Sequence, residues 1–125
     1  LFLPAEGRTL MTGVGDLAGV PVAVERAQTG WTGVFSALPA LAPDVLRRLY
    51  RAAGVHVYTD ADVVLSANAS WVMLHTRTPG DYTVCLPRRV ARVTDVTCDK
   101  VVATNTDRFT YPLEKFQTTV LLLDD

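Results

Sequence analysis

Three aromatic residues have the side chains best suited to hold a ligand: Trp31, Trp71 and Tyr111. Sugar-binding modules stack pyranose rings on exposed aromatic faces, because an aromatic ring is flat and apolar. Trp71 begins a run of apolar residues, and such a position favours packing in a core. Carbohydrate binding by these residues is therefore one hypothesis, and ordinary core packing is the alternative.

The residue types that ligate metals are too widely spaced to predict a metal site. The chain contains two histidines and two cysteines: His56, His75, Cys85 and Cys98. They are separated by 18, 9 and 12 residues, whereas structural zinc sites use close pairs of ligands that converge from one turn. The acidic residues near 60 and 81 lack the D-x-D-x-D-G spacing that presets oxygens for calcium. We expect no bound metal.

Cofactor binding and catalysis are not predicted either. Residues 13–18 have the form GxGxxA, but a dinucleotide site needs a helix after that turn, and Pro21 begins a strand-like run instead. We therefore expect a hairpin turn there and no cofactor. No serine lies in a Gly-x-Ser-x-Gly elbow, and the acidic residues are scattered among turns and termini, without the paired carboxylates of glycoside hydrolysis. We assign no catalytic residue.

The composition indicates a chain that can build a core and has no strongly charged surface. Of 125 residues, 49% are hydrophobic, and 12 Lys and Arg against 13 Asp and Glu leave a net charge of -1. A chain of this length can bury a hydrophobic core without disulfides. A net charge close to zero argues against nucleic acid or an anionic membrane as a partner. No apolar run approaches the roughly 20 residues of a membrane span, and no signal-peptide pattern is present. We expect a soluble chain, and the compartment stays open.

The first part of the chain is predicted to contain short strands and one helix. Strand-like runs at 9–12 and 20–25 are separated by glycines, which predicts a hairpin, and a third run follows at 34–37. A helix is expected over about 43–53, because Pro43 suits the first helical position and Gly54 suits the left-handed residue after the end. Its apolar residues share one face, so we expect that face to pack on a sheet.

The rest of the chain predicts a mainly β fold of the α+β type. Valine and threonine are abundant, and both favour strands. Seven short strands separated by turn residues are predicted: 63–67, 71–76, 82–86, 91–97, 101–104, 109–113 and 118–123. This spacing is typical of an antiparallel, Ig-like β-sandwich, with the amino-terminal strands and helix as an added layer. A turn at Pro87 would place Cys85 opposite the region of Val93 and away from Cys98, so no cross-strand disulfide is expected.

The run AAGVHVYTDADVVLSAN, at residues 52–68, resembles a stretch of large bacterial glycoside hydrolases of the β-galactosidase-like kind. The strand at 80–87 and the Val-x-Asp pattern at 93–95 add to this resemblance, which covers about residues 19–123. It implies that residues 1–56 are the end of a flavodoxin-like or amidotransferase-like domain. It also implies that residues 57–125 are a carboxyl-terminal β-sandwich.

The resemblance implies a function for the parent protein, and the chain itself is expected to lack catalysis. In such enzymes the catalytic acids lie in an upstream barrel, at the carboxyl ends of its strands. We therefore expect a non-catalytic accessory domain that packs on the upstream catalytic domain or assists assembly. A carbohydrate-binding module and an oligomerisation or partner-docking module are the alternatives, with a saccharide or a second copy of the chain as the partner.

Overall fold

The computed structural model describes residues 6–125, which form two compact units. The division falls between Leu49 and Tyr50. The predicted boundary at residues 56 and 57 stays a prediction. Taken together, the units contain two antiparallel sheets and a single α-helix, which confirms the mainly β fold for the described residues.

The first unit is built on a three-stranded antiparallel sheet in the order β1-β2-β3. Its strands are β1 (Arg8–Thr12), β2 (Pro21–Gln28) and β3 (Trp31–Ser36). A short 3₁₀ turn, Gly15–Leu17, connects the first two strands, so the predicted hairpin is confirmed. This turn also stands where a dinucleotide fingerprint would require the start of an α-helix. The pairing of β1 with β2 is interrupted by two register shifts, whereas the pairing of β2 with β3 is regular.

Helix α1 (Pro43–Ala52) lies within one residue of its predicted bounds. Asp44 places a carboxylate in the first turn, where the helix dipole favours negative charge. The helix ends because Gly54 takes φ 75°, and the Val55 amide then donates to the Tyr50 carbonyl at 2.8 Å. Val45 is its buried residue. Packing of this helix on a sheet stays a prediction.

The second unit contains a five-stranded antiparallel sheet in the order β4-β5-β8-β6-β7. Its strands are β4 (Val64–Ala67), β5 (Trp71–His75), β6 (Gly80–Asp95), β7 (Lys100–Leu113) and β8 (Thr118–Asp124). Strands β6 and β7 are far longer than the others and form one long hairpin. Five strands therefore replace the seven that the sequence predicts for this region.

The predicted turn at Pro87 is wrong, because this residue lies inside β6. The pairing with β7 jumps from Cys85 opposite Arg108 to Val90 opposite Thr106, so the intervening residues form a bulge. Proline has no amide hydrogen to donate, and a bulge is a place in a strand where none is needed. The expected position of Cys85 opposite Val93 is wrong for the same reason. Both cysteines are free thiols.

The bulge lets both halves of β6 contribute to one core. Both halves of β6 pair with β7, and the carboxyl-terminal half also pairs with β8. In the amino-terminal half, the Cys85 amide donates to the Tyr58 carbonyl at 2.7 Å. Bulges bend a strand, so the two halves can cover each other. Buried residues from both halves, including Val84 and Val93, belong to one cluster with Leu74 and Leu121. This arrangement is consistent with a β-sandwich.

The described part of the chain contains no helix with the length and apolarity needed to cross a membrane.

Candidate functional site

The β2–β3 hairpin presents an open groove around Trp31. Trp31, Gly33 and Phe35 lie on one face of β3, because residues two apart in a strand point to the same side of the sheet. Trp31 and Phe35 are 63% and 44% exposed. Val24, Arg26 and Gln28 lie opposite these three residues on β2. Together they line a groove of about 350 Å³, which we call the Trp31 groove.

Gly33 lets the indole ring of Trp31 lie across the strand. A Cβ atom placed on Gly33 would lie 2.8 Å from the Cζ3 atom of Trp31, so the indole ring could not keep this position beside any other residue. The preceding turn is also made by a glycine, because Gly30 takes φ 82°. Two glycines therefore set the position of the most exposed aromatic ring among the three predicted.

Polar groups stand beside this aromatic surface. The Glu6 carboxylate lies 3.1 Å from a guanidinium nitrogen of Arg26, and both side chains are largely exposed. Gln28 is paired with Trp31 across the two strands and also lines the groove. A flat ring beside a guanidinium, a carboxylate and an amide can stack on an apolar ring face and form hydrogen bonds with hydroxyl groups.

Trp71 lies in the second unit, on a different surface. It is half-buried and sits opposite Leu122, while its neighbour on the same face, Met73, sits opposite Val120. With Val96 these residues form a contiguous apolar surface on the side of the sheet that faces away from the core. We call these five residues the outer face.

Tyr111 is buried, at 8% exposure, and its ring is not available for stacking. Its hydroxyl donates to Asp95 at 2.9 Å, and the other oxygen of Asp95 accepts bonds from the Thr97 amide and hydroxyl at 2.8 and 2.6 Å. The Cys98 thiol lies 4.0 Å from the Tyr111 hydroxyl. We call this group the Asp95 network. Carbohydrate binding by the three predicted aromatics stays a prediction, and the structure does not bring them into one site.

The Asp95 network changes the acidity of both partners. Burial raises the pKa of the Asp95 carboxyl, but the surrounding groups of Thr119, Thr97 and Tyr111 outweigh it and lower that pKa overall. The Thr119 hydroxyl is buried without a hydrogen-bond partner, so its effect on Asp95 is that of a nearby dipole. Burial, followed by the bonds to Asp95 and Cys98, raises the pKa of Tyr111 far above its usual range.

The residues considered for metal binding are dispersed. Among residues 6–125 no three His, Cys, Asp or Glu side chains group together as metal ligands. His56 Nε2 donates to the Cys85 carbonyl at 2.8 Å, and His75 Nδ1 lies 2.8 Å from the Thr118 hydroxyl. Asp60 is paired with Arg51 at 2.7 Å. The Arg51 guanidinium therefore balances the charge of that carboxylate.

Sequence reasoning missed the Asp95 network and most of the Trp31 groove. Asp95 lies two residues after Val93 on the inward face of β6. A single acidic residue at an inward position of an alternating strand predicts a buried carboxylate that needs hydrogen-bond partners. Arg26 and Gln28 follow Val24 at intervals of two residues, so the three share one face of β2. Only the pairing of β2 with β3 reveals that they lie beside Trp31, because alternation within one strand does not give the register with its partner.

Comparison with known proteins supports the fold alone. No family model and no curated protein matches the chain. Among solved structures, a β-galactosidase from Bacillus circulans sp. alkalophilus is similar, with a TM-score of 0.53 and 14% sequence identity. The likeness covers 89% of this chain and 17% of that one. The chain therefore has a fold that also occurs within a glycoside hydrolase, and it spans a small part of that enzyme.

Proposed function

We propose that this chain is a non-catalytic, carboxyl-terminal accessory region of a glycoside hydrolase, with a role in packing on the upstream catalytic domain or in assembly. The fold shared with a small part of a β-galactosidase supports the class of parent protein. The observation that carries the packing role is the apolar outer face of the second unit. We assign that unit as the small, Ig-like sandwich of the accessory region.

The outer face departs from what a solvent-facing sheet surface requires. Antiparallel sheets with one wet face alternate apolar residues inward with polar residues outward. On β5 and β8, Trp71, Met73, Val120 and Leu122 point outward and pair with each other across the two strands. Contiguous apolar surfaces on soluble proteins mark interaction sites, because covering them removes apolar area from water.

The carboxylates support a scaffold role. Six carboxylates in the described part of the chain form surface ion pairs with arginines, including Glu25 with Arg8 and Asp124 with Arg92. The buried Asp95 is held by hydroxyl and amide groups. A general acid in glycoside hydrolysis instead needs a raised pKa beside a second carboxylate, and the pKa of Asp95 is lowered.

Two measurements test the class of protein. The purified chain should give no turnover of a panel of aryl glycosides above the rate of buffer alone. The reading frame that encodes the chain should also encode a catalytic barrel. Turnover by the chain, or a frame without any catalytic domain, would contradict the accessory role.

A variant of the outer face tests the packing role. Leu122→Asp places a charge at the centre of this face, at a position that is 39% exposed. The catalytic domain that the same reading frame should encode is produced separately, and the affinity of the variant chain for it is measured by calorimetry. We expect this affinity to be at least about tenfold weaker than that of the native chain. Val14→Asp is the matched control, since Val14 is 87% exposed and lies in the first unit. Equal binding by both variants would contradict docking through the outer face.

A second candidate function, carbohydrate binding, is favoured by the Trp31 groove. The groove combines an exposed indole ring with the Glu6–Arg26 pair and the Gln28 amide. In a Trp71→Phe variant, Trp31 is the remaining tryptophan, so indole emission reports on the groove alone. Titration with an oligosaccharide panel should then change the emission in a saturable manner. An emission that stays constant across the panel would contradict this function.

A further inference from the structure

The two edges of the three-stranded sheet in the first unit are built differently. At one edge, β1 has two register shifts in five residues, and Arg8 forms a 2.6 Å ion pair with Glu25. Bulges and charges of this kind prevent another strand from adding to an edge. At the other edge, β3 pairs with β2 in unbroken register over six residues and contains no charged residue and no proline.

Apolar side chains on both faces of β3 are exposed. Trp31 and Phe35 project on one face at 63% and 44% exposure, and Val34 projects on the other at 41%. Within residues 6–125, no strand pairs with the outer edge of β3. Natural proteins do not normally leave a regular, uncharged and apolar edge uncovered, because it is a template for further strand pairing.

The backbone groups of β3 show which residues are free to pair. The Ala37 amide donates to the Val22 carbonyl of β2, so the backbone groups of odd-numbered residues in this strand face β2. The amide and carbonyl groups of Thr32, Val34 and Ser36 therefore face outward. A strand added at this edge must place residues with free amide and carbonyl groups opposite Thr32, Val34 and Ser36.

We propose that β3 pairs antiparallel with β3 of a second copy of the chain, with Gly33 of each copy meeting at the two-fold axis. In this register, Thr32 lies opposite Val34 of the second copy, so outward-facing backbone groups meet outward-facing groups. Trp31 lies opposite Phe35 of the second copy, which creates two aromatic cross-strand pairs. No charged side chain opposes another, because β3 has none. This inference rests on the assembly role in the proposed function and specifies its surface.

Self-pairing fits β3 better than the addition of a charged peptide. Two β3 strands related by a two-fold axis present the same uncharged residues to each other. Cross-strand aromatic pairs also stabilise antiparallel sheets. The absence of a Cβ atom on Gly33 allows the two backbones to approach at the axis, beside the two Trp31 rings. The product is a continuous six-stranded sheet.

The test uses the full chain and analytical ultracentrifugation over a concentration series. The native chain should pass from monomer to dimer as its concentration rises. Val34→Lys places like charges at the new interface without touching a bond to β2, and its dimer should dissociate at least roughly tenfold more readily. Val14→Lys, at an exposed position away from β3, should behave as the native chain.

A double substitution tests the register. Thr32→Glu combined with Val34→Lys puts opposite charges across the interface only if residue 32 faces residue 34, so it should restore the dimer that Val34→Lys alone disrupts.

A native chain that stays monomeric throughout the series, or a Val34→Lys chain with native association, would overturn the proposal. A double variant as weak as the single one would overturn the register. Circular dichroism of each variant checks folding. Val34→Pro, which removes an outward-facing amide hydrogen and leaves the bonds to β2, replaces any variant that unfolds.

The outcome is separable from the proposed function. Loss of self-pairing at β3 leaves the binding of the outer face to a catalytic domain unchanged, because Leu122 and β3 lie in different units. Conversely, turnover of glycosides by the chain would remove the accessory role and leave the ultracentrifugation result standing.

Discussion

At the scale of single residues, Asp95 is a carboxylate that the fold must compensate. A buried charge is costly unless hydrogen bonds replace its water shell. Thr97 and Tyr111 provide those bonds at 2.6 to 2.9 Å. The network joins the end of β6 to β7, so it fixes the two strands beside the turn that connects them.

Removing the tyrosine hydroxyl should therefore be costly. Tyr111→Phe leaves one oxygen of Asp95 without its donor, and we expect a loss of about 1.5 to 3 kcal/mol in the free energy of unfolding. The matched control is Tyr82→Phe, because the Tyr82 hydroxyl is also buried but donates to the neutral Thr78 carbonyl. That change should cost about 1 kcal/mol. Urea titrations measure both, and equal losses would show that the charge of Asp95 adds nothing.

The lowered pKa of Asp95 also predicts the direction of a pH effect. The unfolded chain, whose aspartates have a pKa of about 3.9, takes up this proton at a higher pH than the folded chain does. The stabilisation is therefore complete above the unfolded pKa and is lost as the pH falls through the folded pKa.

Urea midpoints between pH 6 and pH 2.5 test this effect. The native chain should lose stability below about pH 4, and Asp95→Asn should flatten this loss while lowering stability at pH 6. Asp99→Asn, at an exposed position in the turn that follows β6, should keep the native slope. An Asp95→Asn chain with the native slope would contradict the assignment.

At the scale of elements, the β2–β3 hairpin shows two distinct uses of glycine. Gly33→Ala brings a Cβ atom against the ring of Trp31, which is the end of a flexible side chain and can move. We expect the free energy of unfolding to change by less than about 1 kcal/mol while the indole emission shifts. Gly30→Ala meets no atom but is strained at φ 82°, so it should cost more than about 1 kcal/mol without an emission shift. Fluorescence in the Trp71→Phe background measures both, and the reverse pattern would contradict this account.

Elements that are defined by local chemistry were predictable, whereas those defined by pairing were not. Pro43 and Gly54 mark the ends of α1, and the glycines between β1 and β2 mark a hairpin. Pro87 carries the same turn chemistry, yet β6 continues through it as a bulge, because pairing with β7 resumes beyond it. Local sequence indicates a break in a strand, and only the partner strand decides whether the break is a turn or a bulge.

The same distinction applies to the candidate sites. The exposure of Trp31 depends on its place beside Gly33 at a sheet edge, and that place follows from pairing with β2. The buried Tyr111 hydroxyl has its hydrogen-bond partner in a carboxylate 16 residues earlier in the chain. Residue type alone singles out these aromatics, but their surroundings are tertiary properties that a strand pattern does not contain.

At the scale of the whole molecule, the two units differ in the core that each contains. The cluster of buried residues in the second unit runs from Val72 to Leu123, and partly buried residues from Tyr58 onward pack against it. The buried apolar residues described in the first unit are few: Val22, Ala23, Val24 and Val45. A short segment with so few buried apolar residues does not bury enough surface to fold alone.

Residues 57–125 should therefore fold by themselves. This truncated chain keeps the whole core cluster, and it loses the exposed Arg51–Asp60 ion pair and the bond from His56 to the Cys85 carbonyl, which are small contributions. We expect a single cooperative urea transition, and none for residues 1–56. Residues 50–125, which retain both contacts, are the control and should be more stable by about 1 to 2 kcal/mol. If 50–125 unfolds cooperatively and 57–125 does not, the predicted boundary at 56 and 57 is wrong, and the second unit begins within α1.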